Sequence, residues 1–161
     1  YDVDSLGYNY RMNEVEAAVG LGQLSKLDRF QLSRAANYNR LYELLHEIAE
    51  ITVFESTQGK SISSHYCFNV TLPDDGSISR DQIVGELKAS GIGSSVHYPR
   101  AVPLFSFYKQ KYGYQEGQYP VAEWLAAQTI SLPVGPHLPG DGPERIASAL
   151  KRALMDNKSL V

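Results

Sequence analysis

Tyr66-Cys67-Phe68-Asn69-Val70-Thr71-Leu72, then Pro73-Asp74-Asp75-Gly76, then Ser79-Arg80-Asp81-Gln82-Ile83-Val84, is the stretch on which the fold turns. Its first seven residues are rich in aromatic and β-branched side chains and read as a strand, and the Pro-Asp-Asp-Gly run that follows is a turn. Ser79 with Gln82 three residues on has the spacing of a capping box. The spacing predicts a helix that turns Ile83, Val84 and Leu87 inward and stops at Gly91, where glycine accepts a left-handed backbone. Ile92 to Tyr98 reads as a returning strand, so a strand–helix–strand unit with the two strands as sheet neighbours is expected.

Working outward, Ile51 to Phe54 reads as another short strand and Gln58 to Ser64 as a polar loop. Upstream, apolar residues from Met12 through Val15, Val19, Leu24, Leu27, Phe30, Tyr38, Leu41 and Leu45 to Ile48 mostly keep the three-or-four spacing of one helix face. Asn13 with Glu16 marks its start as a capping box. Unbroken, such a helix would run ~35 residues, or ~50 Å at 1.5 Å per residue. That is too long for a small domain. Either it breaks near Asp28 to Ser33, or its first half packs on something outside the domain. Ala17-Ala18-Val19-Gly20-Leu21-Gly22 offers a small-residue face for such a contact.

Downstream, Pro99 and Pro103 with Phe105, Phe107, Tyr108, Tyr112, Tyr114 and Tyr119 read as an aromatic-rich loop. Pro120 starts a short helix to Gln128, and Ile130 to Leu132 is a short strand. Gly142-Pro143 opens a final helix with Ile146, Leu150, Ala153 and Leu154 inward. The expected class is α+β: three or four short, mainly antiparallel strands packed on helices, with a long N-terminal helix.

The chain has 161 residues, one domain on the scale of ~100–200 residues. A hydrophobic share of 43% against 20% charged places it with folded rather than disordered chains. Net charge is −3, which supplies no basic field for nucleic acid or an anionic membrane. No apolar run approaches the ~20 residues of a membrane span. One cysteine, Cys67, cannot form an internal disulfide, which favours a reducing, cytoplasmic setting. The first residue is Tyr1 rather than Met, and the chain is expected to be part of a longer protein.

Most chemistry-bearing patterns fail on spacing. Gly20-x-Gly22 and Gly91-x-Gly93 lack the third glycine of a dinucleotide loop and the strand-to-helix placement it needs. His46, His65, His97 and His137 share no metal-ligand spacing with one another or with Cys67, so no metal is expected. Two places are better. Gly7-Tyr8-Asn9-Tyr10-Arg11-Met12-Asn13-Glu14 puts an amide, a guanidinium and two phenols at a helix start, where free N–H groups favour an anion. Arg11 suits phosphate or carboxylate because its planar fork donates twice. The plainer alternative is that Asn9 and Arg11 tie the turn to the domain. In Val96-His97-Tyr98-Pro99 a strand ends in a proline-bounded loop, and His97 and Tyr98 leave it with polar tips free for a ligand. There the alternative is a histidine satisfied by its own loop.

Both places, in this order, resemble the DegT-type sugar aminotransferases, pyridoxal-phosphate enzymes of the aspartate-aminotransferase fold. The resemblance runs from Gly7–Glu14 into Ala17–Leu24, through Lys26-Leu27-Asp28, Arg34 and the Tyr38/Leu41 stretch. It recurs at Gly91-Ile92, His97-Tyr98-Pro99 and Ser131-Leu132-Pro133-Val134-Gly135-Pro136. It implies the small C-terminal domain of a fold-type I enzyme, with residues 1–12 as a cofactor-contacting loop and 13–161 as the domain proper.

The large domain holding the Schiff-base lysine has no counterpart in what the chain matches. Lys26, Lys60, Lys88, Lys109, Lys111, Lys151 and Lys158 do not match the family lysine, so no catalytic residue is expected here and the chain alone should be inactive. The resemblance further implies a homodimer in which Asn9, and secondarily Arg11, contact the cofactor phosphate in the neighbouring subunit. Tyr10, His97 and Tyr98 then face the sugar nucleotide. The whole enzyme would move an amino group from a donor such as glutamate to a nucleotide-linked keto sugar, in amino-sugar biosynthesis for cell-surface polysaccharide or secondary metabolites. The first half of the long helix, with its alanine–glycine face, would pack on the large domain. Two alternatives are a non-catalytic binding or dimerisation module and a sugar dehydratase of the same family.

Overall fold

The computed structural model describes residues 5, 7–54 and 60–158; residues 1–4 and 6 of the leading loop, Gln58 and Gly59 of the polar loop, and residues 159–161 of the expected domain lie outside the described residues. Among these the elements are α1 (Glu14–Leu24), α2 (Leu27–Leu45), β1 (Thr52–Val53), β2 (Phe68–Thr71), α3 (Arg80–Ala89), a 3-10 turn (Val102–Leu104), α4 (Ser106–Tyr112), α5 (Pro120–Gln128), β3 (Thr129–Leu132) and α6 (Gly142–Lys158). The α+β class is as expected.

The sheet is antiparallel throughout in the order β1-β2-β3, with Val53 opposite Val70, Val70 opposite Ile130 and Phe68 opposite Leu132. Phe68 and Val70 face one side of the pleat and are fully buried, while Asn69 between them is exposed, the alternation of a half-covered strand. The covering layer is α2, α3 and α6. Leu41 and Leu45 come from α2, Ile83 and Leu87 from α3, and Ile146, Leu150 and Leu154 from α6, all in one core. The 146/150/154 spacing is one helical stripe. Asn157 extends that stripe, buried, and donates to Glu86 Oε1 at 2.8 Å and to the Ala153 carbonyl at 2.9 Å, which pins α6 to α3. A solvent-facing clamp joins α2 to the start of α6, Arg40 Nε donating to Glu144 at 2.7 Å.

The structure departs from the sequence reading in four places. The long helix does break, but at Ser25-Lys26, ahead of the Asp28–Ser33 window. Ser25 Oγ donates to the Gly22 carbonyl at 3.1 Å; a hydroxyl turned back on the helix behind two glycines weakens that turn first. Of the capping box at Ser79 only one half forms, Ser79 Oγ accepting from the Gln82 N–H at 3.4 Å. The strand expected over Ile92–Tyr98 shrinks to a single bridge, Ser95 with Ser131, so its neighbour is β3 and not β2. Gly93, Ser94 and Ser95 are weak strand formers and Pro99 closes the segment. The aromatic segment is not a plain loop: it holds the 3-10 turn and α4, which ends at Gly113 with φ 72°. That is the left-handed stop that only glycine adopts without strain.

α1 is the outlier. Not one of its residues is buried, and Val15 and Val19 are 75% and 60% exposed.

Candidate functional site

The segment before α1 is an extended strap whose polar contacts are local. Asn9 Oδ1 accepts from the Arg11 N–H at 3.1 Å, an Asx turn that fixes Arg11 relative to Asn9. The Tyr8 and Tyr10 rings lie 5.8 Å apart and are the most exposed tyrosines of the chain described here, at 86% and 85%. Asn13 Oδ1 accepts from the Glu16 N–H at 2.9 Å while the Glu16 carboxylate accepts from the Asn13 N–H at 3.2 Å.

That closed box corrects the physical reason given above for an anion here. The helix start is already capped, and Glu14 and Glu16 place two carboxylates in its first turn, which repel an anion. What the strap presents to an anion is therefore the Asn9 side-chain amide N–H2 and the Arg11 guanidinium, not the helix terminus.

His97 and Tyr98 follow the Ser95 bridge at the edge of the sheet. Ser95 Oγ and His97 Nε2 are 2.9 Å apart, so the histidine has a partner in its own loop and keeps Nδ1 for another. The Tyr98 ring meets the His97 ring edge-on at 5.9 Å and is 66% exposed. His97 lines one side of a pocket completed by Arg34, Cys67, Ser95, Ser131 and His137. The structure thus gathers His97 with Arg34 and His137, and keeps Asn9, Tyr10 and Arg11 on the strap.

Arg34 and His137 were not singled out by the residue reading. Arg34 lies one turn before Tyr38, which is buried on α2; that i, i+4 relation was the available signal that its side chain runs along the covered face. His137 had been weighed only as a metal ligand; its ring sits directly over Gly135, where an added Cβ would lie 2.4 Å from its Cε1.

The side chains fit pyridoxal phosphate in one respect. Asn9 and Arg11 are donors of the type a phosphate takes, and the six lysines whose side chains are described, Lys26, Lys60, Lys88, Lys109, Lys111 and Lys151, are all exposed or half-buried. Among the described residues no group of three or more His, Cys, Asp or Glu is placed to hold a metal ion.

A three-stranded antiparallel sheet backed by three helices, with an exposed helix and a donor-bearing strap ahead of it, makes an α+β domain. The chain belongs to the DegT/DnrJ/EryC1/StrS aminotransferase family, whose model matches residues 1–151. It is similar to the spore coat polysaccharide biosynthesis protein SpsC of Bacillus subtilis, 30% identical over 155 residues that are 94% of this chain and 39% of SpsC. It is also similar to MJ1066 of Methanocaldococcus jannaschii, 30% identical over 98% of this chain and 41% of that protein. Among solved structures, S. venezuelae DesV in complex with a ketimine intermediate superposes with a TM-score of 0.80 at 30% identity, over 94% of this chain and 39% of DesV. The chain therefore spans about two fifths of the length of the relatives it matches.

Proposed function

We propose that this chain is the small C-terminal domain of a pyridoxal-phosphate-dependent aminotransferase that aminates a nucleotide-linked keto sugar. The observation that carries the reading is the family match over nearly the whole chain combined with coverage of only two fifths of each relative. The bound cofactor supplies an electron sink for amino-group transfer. Residues 1–12 act as a loop that crosses to the neighbouring subunit of a homodimer, and residues 13–161 form the domain. Asn9 donates to the cofactor phosphate and Arg11 adds a charge-assisted bond; the Asx turn between them presets their spacing. His97, held by Ser95, and Tyr98 and Tyr10 line the sugar-nucleotide side. The Schiff-base lysine belongs to the part of the enzyme outside this chain, α1 packs against that part, and this chain alone does not transaminate. A cytoplasmic site of action fits nucleotide sugars as substrates and a described structure with no helix long and apolar enough to cross a membrane.

The reading is tested by cofactor retention. In the intact enzyme Asn9→Ala is expected to weaken pyridoxal phosphate binding roughly tenfold, the loss of one hydrogen bond to a charged group. Unchanged retention would leave Asn9 as a turn residue. Borohydride reduction of this chain with pyridoxal phosphate is expected to label no single lysine stoichiometrically; one uniquely labelled lysine would overturn the reading.

A further inference from the structure

We propose that the aromatic segment around α4 is an interaction surface for α1 of a second copy of this chain, each copy covering the other's α1. The segment leaves the core after Ala101 and Leu104, which are buried, and is tied back where Arg80 Nη1 donates to the Ala126 carbonyl at 3.2 Å. Between these anchors α4 and α5 bury no residue, and among the described residues α1 is the other helix that buries none. Phe107, Tyr108, Tyr112, Tyr114 and Tyr119 form an unbroken line of rings with centroids 5.2 to 6.3 Å apart. All but Tyr114 are exposed. Aromatic residues of this kind are what subunit interfaces concentrate.

Charge selects the occupant. Lys111 Nζ lies 5.5 and 5.1 Å from the Phe107 and Tyr112 ring centroids and pairs with no carboxylate of the described residues. The acids nearby are engaged: Glu116 is 3.8 Å from Lys109, and the Glu123 carboxylate accepts from the Gly117 and Tyr119 N–H groups. The segment is thus an aromatic ridge with a free cation. α1 is its complement, with Glu14 and Glu16 but neither lysine nor arginine. Glu16 closes the capping box, while Glu14 has no ion pair among the described residues.

At 100° per residue Glu14, Ala17, Leu21 and Leu24 fall within about 80° of one another, and Val15, Val19 and Gly22 make the opposite side. The first side has the free carboxylate at one end, a small residue in the middle and leucines beyond it. α4 offers the matching pattern, because Phe107 with Lys111 and Tyr108 with Tyr112 are i, i+4 pairs. Its 7 residues span ~10 Å, the rise from Glu14 to Leu21. Ridge against ridge would set Lys111 beside Lys111, and α1 against α1 would set Glu14 beside Glu14; only the crossed pairing joins opposite charges twice. The inference rests on the function proposed above for one point: a strap that crosses between subunits delivers α1 to their boundary. The uncharged Val15–Val19 side is left for the lysine-bearing domain.

Two contacts between short helices are smaller than the ~800 Å² per partner of a standard interface, so the chain is expected to be monomeric at about 1 µM and paired at about 1 mM. Sedimentation equilibrium of this chain without cofactor reads that pairing, so its outcome is independent of pyridoxal phosphate retention. Lys111→Glu and Glu14→Lys are each expected to weaken it roughly tenfold, since each acts at both symmetry-related contacts. The two together in one chain should restore it. Leu21→Ser should weaken pairing and Val19→Ser should not. A chain still monomeric at about 1 mM would overturn the proposal, and that result needs no variant to fold. So would weakening by Lys111→Glu without weakening by Glu14→Lys, or single losses that the double substitution fails to recover.

Discussion

Asn13→Ala isolates the forces that keep α1 helical. The helix has 11 residues and buries none of them, and isolated helices shorter than ~12–15 residues are marginal in water. Its order therefore depends on its cap. Asn13 Oδ1 holds the Glu16 N–H at 2.9 Å and positions the Glu16 carboxylate to return the bond; alanine at such a position costs about 1 kcal/mol. That is a factor of about five in the ordered population. Because α1 contributes nothing to the core, global stability should not follow. Amide exchange measured residue by residue is expected to speed up about fivefold across α1 and to stay unchanged in α2, α3 and α6, with an unchanged urea midpoint. Two results would refute the reasoning. A drop in the urea midpoint comparable to a core truncation would mean that α1 is packed on this domain. Unaltered exchange in α1 would mean that the capping box does not hold it.

Three further outcomes are expected. Leu150→Ala opens a cavity at a fully buried position of α6, and should lower unfolding free energy by ~2–5 kcal/mol in urea titration. Gly91 closes α3 at φ 75° with open space around its missing Cβ, so Gly91→Ala should cost only the ~1–2 kcal/mol of a left-handed side-chain residue, read as a lowered melting temperature without loss of fold. Burial beside Tyr38 holds the His65 imidazole below its ordinary value, so the unfolded chain takes up that proton first as pH falls. Stability from this source is complete above about pH 6.5 and is lost as pH drops below it toward the folded-state value. Melting temperature should thus fall from pH 7 to 5, and His65→Asn, which tolerates the left-handed φ of 48° there, should flatten the slope.

The core was legible because it is periodic. Phe68 and Val70 alternate, and Ile146, Leu150 and Leu154 recur every fourth residue, so their faces followed from spacing alone. Boundaries set by single hydrogen bonds were not. Nothing in the pattern Gly22-Gln23-Leu24-Ser25 announces that Ser25 Oγ will turn back on the Gly22 carbonyl and end the helix there. The prolines at 99 and 103 outweighed the Phe105, Tyr108 and Tyr112 spacing that in fact folds into α4. In the candidate site, His97 was visible as the polar end of a β-rich run. Arg34 and His137 were not, because 63 and 40 positions separate each from His97 in the chain and only the closure of α2 and the Pro133–Gly142 path over the sheet edge makes them neighbours.

The contrast between α1 and α6 explains why one helix completes a core and the other cannot. In α6 the large aliphatic side chains at 146, 150 and 154 advance about 40° per step at 100° per residue, one narrow stripe that a single sheet-and-helix layer covers. In α1, Val15 and Val19 keep that spacing, but Leu21 and Leu24 point about 240° and 180° away from Val15. No single surface can cover all four, and a helix that is apolar on opposite sides is normally enclosed. The domain buries no residue of α1 and leaves Leu21 and Leu24 69% and 63% exposed. A strap with a local Asx turn leads into that helix, and under the proposed function the two features share one explanation: surfaces that the rest of the enzyme would bring to them. The apolar sides of α1 call for cover from more than one direction, and the proposed pairing of a lysine-bearing domain with a neighbouring subunit supplies two.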